Sequence, residues 1–371
     1  MLAAGFLAAL LASFAVCWAM LLSHRAHERL SLDDTLPGLH KVHRTPVPRI
    51  GGFGILAGVI AGALLLDQVE AQWMLLLLLA ALPAFTGGFL EDLTRKVTPY
   101  SRLLFSFGAA ATGYFLIDAR ITDLDLPYDD LLFRYEIFSF GFTLFAVGGF
   151  AHATNIIDGM NGLSGFVASA ILAAIAAVAW QVGDERILAA ALIVMGATLG
   201  FLVWNFPRGV IFAGDGGAYF LGFAIATLAV LLVHRNSEIS PWFALLVLWY
   251  PVWETVYSMV RRRVRGRSPA DPDGLHLHTL VYRRIVKLHE RPVARSALTT
   301  VCMLALGLAT VVPAWLFWRE TWILQAFAAA FALAYLRIYR RIVKFGVPRG
   351  LVLGRSPQTA RRQNPASGGT L

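Results

Sequence analysis

The chain has 371 residues, of which 57% are hydrophobic and 15% charged, with a formal net charge of +9 and a mean hydropathy of +0.64. Soluble domains run at about 45–50% apolar and about 25% charged, so this composition excludes an ordinary water-soluble globule and points to lipid as the solvent. In so apolar a chain the basic excess marks loops beside anionic headgroups rather than a nucleic-acid partner, and the two cysteines, Cys17 and Cys302, exclude a disulfide framework or a cysteine metal site.

A bilayer core of roughly 30 Å needs about 20 apolar residues per helix. That criterion predicts eleven spans, at 3–22, 50–67, 73–90, 103–118, 137–154, 163–180, 187–204, 216–233, 240–260, 297–317 and 321–337. The expected fold is therefore an all-α polytopic bundle of about 10–11 transmembrane helices. The first span lacks a basic n-region and is followed by Arg25 and Arg29, which favours a retained helix with its N-terminus outside over a cleaved signal. With that orientation, 27 of the 32 Lys and Arg residues fall on one face and five on the other. The positive-inside bias then predicts a periplasmic N-terminus, a cytoplasmic C-terminus and five cytoplasmic loops at 23–49, 91–102, 155–162, 205–215 and 261–296. Residues 1–340 read as one transmembrane domain, and 341–371 as a basic, disordered cytoplasmic tail.

A helical bundle does not need acids, amides and imidazoles at every cytoplasmic helix end, yet five clusters occur there. The first holds Lys41, His43 and Arg49 in His40-Lys-Val-His-Arg-Thr-Pro-Val-Pro-Arg-Ile-Gly-Gly52. Its cationic groups suit a phosphate or diphosphate, while an ordinary juxtamembrane basic patch is the bland alternative. The second, Glu91-Asp92, sits at the end of an apolar run and is followed by Arg95, Lys96 and Arg102. Paired carboxylates can hold a divalent cation, or one can act as a base. A helix C-terminus disfavours acids, so a merely solvated helix end explains them less well.

The third cluster is Asn155-Ile-Ile-Asp158-Gly-Met-Asn161-Gly-Leu163. It offers amide and carboxylate groups for a base, a ribose or a metal, where a single tight turn would need fewer. The fourth runs from Asn205 to Asp215 and on through Gly216 and Gly217. A glycine-lined helix start is an anion site, and Asp215 could bridge metal to phosphate or simply cap the helix. The fifth holds His276 and His278, with Tyr282, Arg283 and Arg284 beyond. With no third clustered ligand, the imidazoles fit diphosphate contact better than zinc. Solvated loop histidines are an equal competitor for that pair taken alone.

In this order the motifs K-x-H-x-x-P-x-P-R-x-G-G, G-x-x-[DE]-D-L, N-x-x-D-G-x-x-G-L, G-D-x-G and H-x-H resemble the polyprenyl-phosphate N-acetylhexosamine-1-phosphate transferases, glycosyltransferase family 4. The resemblance spans about residues 40 to 284 and is nearer the branch using UDP-N-acetylglucosamine than the phospho-MurNAc-pentapeptide branch. It implies transfer of a sugar-1-phosphate from a UDP-N-acetylhexosamine to undecaprenyl phosphate, with release of UMP, at the cytoplasmic face of a bacterial inner membrane. It also implies a Mg²⁺ requirement, with Mn²⁺ as a substitute, and leaves a homodimer open.

By motif, Asp92, Glu91 and Asp215 are the catalytic and metal-binding candidates. Lys41, His43, Arg49, Arg102, Asn155, Asp158, Asn161, Asn205, His276, His278 and Arg283 are the substrate-binding ones. Departures from the pattern are Glu91 for Asp, Arg102 for Lys, Gly217 for Ser, Asn161 for Asp and Thr279 for His. They leave open which of Glu91 and Asp92 binds metal. A transporter or flippase would need ionisable residues within the spans, and Glu254 is the main one present. A CDP-alcohol phosphatidyltransferase would need further aspartates a few turns after Asp158, where the next acid is Asp184.

Overall fold

The structure is a computed structural model that describes residues 1–23, 47–268, 273–286 and 292–344. Its regular elements are all helices: α1 (Leu2–Leu22), α2 (Gly51–Ala63), α3 (Gln68–Thr94), α4 (Pro99–Leu116), the one-turn α5 (Asp130–Phe133), α6 (Glu136–Ile157), α7 (Leu163–Val182), α8 (Glu185–Asn205), α9 (Gly214–Arg235), α10 (Pro241–Val247), α11 (Trp249–Val264), α12 (Leu277–Arg284), α13 (Pro292–Leu316) and α14 (Thr321–Val343). Among the described residues eight of these helices are long and apolar enough to cross a membrane, or nine if α10 and α11 form one bent span. The chain is thus an all-α, multi-pass membrane protein.

Each of the eleven expected spans coincides with a helix, but three differ from an ideal crossing. The helix in 50–67 is α2, only 13 residues, which at about 1.5 Å per residue covers about 20 Å of a core of roughly 30 Å. Helix α4 opens with the polar turn Pro99-Tyr-Ser-Arg102 and is not one of the eight. The span at 240–260 is broken by 70° between α10 and α11. Pro251 is the cause: it lacks an N–H, and its ring would collide with the carbonyl of Val247, the last residue of α10.

Helix α9 is the axis of the bundle, and 94% of its apolar window is buried. A helix apolar all round belongs inside a bundle, and α9 packs against α3 and α6 most extensively, with α7, α2 and α8 around it. Helices α1, α2 and α8 form a second tight group. Lipid tails are as apolar as the side chains, so close approach rather than hydrophobicity drives such packing. Gly54, Gly58 and Gly62 repeat every fourth residue on α2 and meet α1, as do Gly196 and Gly200 on α8. The first turn of the central helix, with Asp215, is consequently fixed from several sides.

Candidate functional site

The N-terminus of α9 is assembled from three distant segments. Helix starts carry N–H groups without intrahelical partners, and those of Gly51 and Gly52 on α2 donate to the carbonyls of Phe212 (2.8 Å) and Ala213 (2.9 Å). Phe212 N–H returns a bond to Pro48 O at 2.8 Å. This backbone zipper lays Arg49 beside Asp215. Gly214 has φ +75°, and a Cβ there would stand 2.3 Å from Arg49 O and 2.6 Å from Asp92 Oδ2, so only glycine fits.

Helix α3 arrives from the other side through Gly88, where a Cβ would lie 2.5 Å from the backbone of Asp215. One turn later Asp92 Oδ2 accepts the Gly216 N–H at 3.0 Å. An acid at the C-terminus of its own helix is disfavoured, but this carboxylate faces the positive end of α9. Arg49 joins the two acids, with Nη2 at 3.0 Å from Asp215 Oδ1 and Nε at 3.5 Å from Asp92 Oδ1. Arg102, from the first turn of α4, donates to Asp215 Oδ2 at 2.8 Å. Glu91 accepts the Val97 N–H at 2.9 Å and lies within electrostatic reach of Arg102.

Asp158 closes α6 and lies within electrostatic reach of Arg49, Asp215 and Asp92. Burial raises its carboxyl to about 7; the Ser164 hydroxyl bonded to it and the Arg49 charge oppose the rise, and the neighbouring Asp215 and Asp92 add to it. His278 is buried with its ring against Gly159, where a Cβ would come 2.7 Å from Nε2. His276 stacks on His278, ring centroids 5.5 Å apart and 3° from parallel. Asn155 lies near the Tyr219 hydroxyl, one turn along α9 from Asp215.

Asn161 and Asn205 are almost fully buried and tie loops together. Asn205 Oδ1 accepts from Gly162 N–H at 2.6 Å, and its Nδ2 donates to Ile211 O at 2.7 Å. Asn161 Nδ2 donates to Pro207 O at 2.9 Å. Arg283 is exposed on α12, while its neighbour Arg284 donates to Ile342 O and Val343 O at 2.7 Å. Lys41 and His43 lie outside the described residues.

Sequence reasoning missed His152, whose Nδ1 lies 3.3 Å from the Tyr219 hydroxyl and which sits close to Arg102. The available signal was a histidine inside an otherwise apolar span. It also left Glu254 as an unexplained acid in a span. That side chain is 1% exposed and satisfied by Leu277 N–H (2.9 Å), Tyr335 OH (2.7 Å) and His276 Nδ1 (3.2 Å).

Among the described residues no three acidic, His or Cys side chains gather as a metal-ligand set. Mg²⁺ commonly uses only one or two carboxylates together with waters and substrate phosphates. Asp92 and Asp215 supply that number, and the buried Asp92 Oδ1 makes no hydrogen bond among the described residues, only the 3.5 Å ion pair with Arg49 Nε. The donor set therefore fits such an ion. Between α3 and α4, Leu79, Leu82, Pro83, Thr86, Phe105 and Thr112 line an open, mostly apolar recess, one helical turn beyond Arg102.

The family model described as "Glycosyl transferase family 4" matches residues 74–233. A Bacillus subtilis (strain 168) protein named "Probable undecaprenyl-phosphate N-acetylglucosaminyl 1-phosphate transferase" is 31% identical over 246 residues, covering 65% of this chain and 67% of that one. Proteins of Yersinia pestis and Escherichia coli (strain K12), each named "Undecaprenyl-phosphate alpha-N-acetylglucosaminyl 1-phosphate transferase", are 26% identical over 257 and 254 residues, in both cases 67% of this chain and 68% of the relative.

Proposed function

The chain belongs to glycosyl transferase family 4, and from that premise we propose that it transfers N-acetylglucosamine-1-phosphate or a closely related N-acetylhexosamine-1-phosphate from a UDP-sugar to undecaprenyl phosphate. UMP is the leaving product, and the lipid-linked sugar starts an envelope polysaccharide. The observation that carries this reading is the junction at Asp215, where two arginines and two carboxylates from four separate segments meet at a glycine-lined helix N-terminus. Phosphoryl transfer asks mainly for positioning and charge, and that is what such a junction provides.

In this mechanism the lipid phosphate attacks the β-phosphorus of the donor, and the bond to the UMP oxygen breaks. Arg49 and Arg102, paired with carboxylates in this structure, are in reach of phosphate oxygens entering beside Asp215. They hold acceptor and donor phosphates close and offset their mutual repulsion. Asp92 and Asp215 would hold Mg²⁺, which supplies neutralisation of the diphosphate charge. A phosphate's second pKa is near 6, so the attacking oxygen is already largely ionised near pH 7, and Asp92 orients rather than deprotonates. Asp158 and Asn155 border the same space and suit the polar groups of the nucleotide sugar. The recess between α3 and α4 takes the first isoprene units of the acceptor.

This arrangement belongs on the cytoplasmic side of the plasma membrane, where nucleotide sugars are made and where the basic loops fall. Purified protein incubated with undecaprenyl phosphate, Mg²⁺ and a panel of UDP-sugars should release UMP from UDP-N-acetylglucosamine or a close analogue. Absence of UMP with every donor would overturn the reading.

A further inference from the structure

Glu254 is a buried acid in a broken helix, far in sequence from the acids at Asp215, and the mechanism above does not use it. The 70° bend after α10 turns α11 so that Glu254, Ser258 and Arg261 line its buried face. One carboxylate oxygen, Glu254 Oε1, receives both the Leu277 N–H at 2.9 Å and His276 Nδ1 at 3.2 Å. The other, Oε2, accepts from the Tyr335 hydroxyl of α14 at 2.7 Å. A carboxylate can only accept, so His276 carries its proton on Nδ1 in this contact.

Those contacts grip both the ring of His276 and the backbone that leads into His278. The two rings stack in parallel, and His278 reaches Gly159 in the loop of Asp158. The His-x-His turn is therefore not a loop in solvent: Glu254 holds the His276 ring through Nδ1, and the carboxylate of Asp273 faces its Nε2 at 3.6 Å. From this geometry we infer that Glu254, itself held by Tyr335, is a positioning residue that presents the His276–His278 pair to the diphosphate of the donor. The inference rests on the transferase reading. It adds that α11 and α14, which bring no group to the Asp215 junction, set donor affinity.

The test uses the full-length protein in detergent, with wild type, Glu254→Ala, Glu254→Gln and Tyr335→Phe. The Michaelis constants for UDP-N-acetylglucosamine and for undecaprenyl phosphate are measured separately, and UDP alone is titrated calorimetrically. Supporting groups behind a binding side chain are commonly worth about 10–100-fold. Glu254→Ala should raise the donor KM and the UDP Kd by at least about tenfold on that scale, with the lipid KM unchanged. Glu254→Gln keeps an acceptor for Leu277 N–H and should fall between Glu254→Ala and wild type; Tyr335→Phe should move in the same direction by less.

A purely structural role would lower the folded fraction and the Tm while leaving the donor KM and the UDP Kd alone, and that result overturns the inference. If Glu254→Ala does not fold, Tyr335→Phe decides: an unaltered donor KM and UDP Kd sink the idea. A wild-type protein that releases UMP from no donor fails the transferase reading instead. The UDP titration of the variants then still reports, without turnover, whether Glu254 sets the His pair.

Discussion

Arg102 Nη1 donates to Asp215 Oδ2 at 2.8 Å, tying the first turn of α4 to the first turn of the buried α9. The side chain of Arg102 is only 20% exposed, so its charge acts in a partly dry setting where a charge-assisted hydrogen bond is worth about 1.5–3 kcal/mol. Arg102→Met should lower kcat/KM by roughly tenfold to a hundredfold on that basis. Arg102→Lys, which keeps the charge but loses the planar fork, should retain an intermediate rate. Steady-state UMP release measures both; an Arg102→Met enzyme as fast as wild type would remove Arg102 from the site.

Gly88 is the contact that lets α3 meet α9. A Cβ at this position would sit 2.5 Å from the Asp215 carbonyl oxygen and the Gly216 nitrogen, and backbone atoms cannot rotate away as a side chain can. Gly88→Ala must push the helices apart, at a cost of about 1–3 kcal/mol for overpacking, and it pulls Asp92 off the α9 N-terminus. The variant should show a lowered Tm in detergent and a larger loss of activity than of folded protein. Normal turnover would mean that the junction tolerates a shift.

The helices and the site differ in how readable they were in the sequence. Every expected span falls on helix, one of them on the broken pair α10 and α11, because an apolar run leaves the backbone no other way to satisfy itself in lipid. The break at Leu248 was foreshadowed by Pro251, but composition alone treats a proline in an apolar run as one more apolar residue. Glu91 and Asp92 look equivalent as neighbours, and only the tertiary contact separates them: Asp92 caps α9 while Glu91 closes the turn at Val97. Asn161 and Asn205 look like ligand-facing amides in a motif, yet their amides bond backbone groups. His152 stands out as a histidine in an apolar span, but its pairing with Tyr219 depends on how α6 crosses α9 and has no local signal.

Asn205 offers a direct test of that loop-tying role. Its side chain satisfies Gly162 N–H and Ile211 O, and it is 4% exposed. Asn205→Ala leaves both backbone groups buried without a partner, each costing about 1–3 kcal/mol. The expected result is a marked fall in Tm with a near-normal donor KM for the molecules that remain folded. A large rise in donor KM at unchanged Tm would instead make Asn205 a substrate contact.

The two-carboxylate donor set leads to a metal prediction. Chelation of divalent cations should abolish UMP release, and Mg²⁺ or Mn²⁺ should restore it, because Asp92 and Asp215 bring two charges to one helix N-terminus beside the incoming diphosphate. Asp92→Asn keeps the hydrogen bond to Gly216 N–H but weakens the ligand. Its Mg²⁺ half-saturation should rise by roughly tenfold or more, on the scale of losing one ligand contact of about 1.4 kcal/mol. Unchanged metal dependence in Asp92→Asn would take Asp92 out of the metal set.

Asp158 couples pH to stability with a definite sign. Burial raises its carboxyl to about 7, against about 3.9 in an unfolded chain. Between about pH 4 and pH 7 the native state therefore holds a proton that the unfolded chain has released. Stability contributed by this group must fall as pH rises through that window, and the loss is complete above the folded value. Asp158→Asn carries no titrating group and removes the slope. Its Tm should exceed that of wild type by more at alkaline pH than at about pH 5, measured by thermal unfolding across the window. Its activity should move the other way, with the loss growing as pH rises through about 7, where the wild-type carboxylate becomes ionised and can contact the nucleotide sugar. A gain in stability paired with a loss of activity is the mark of a charge kept in an unfavourable place for function. An Asp158→Asn protein with the same pH slope as wild type would show that Asp158 is not the group that titrates.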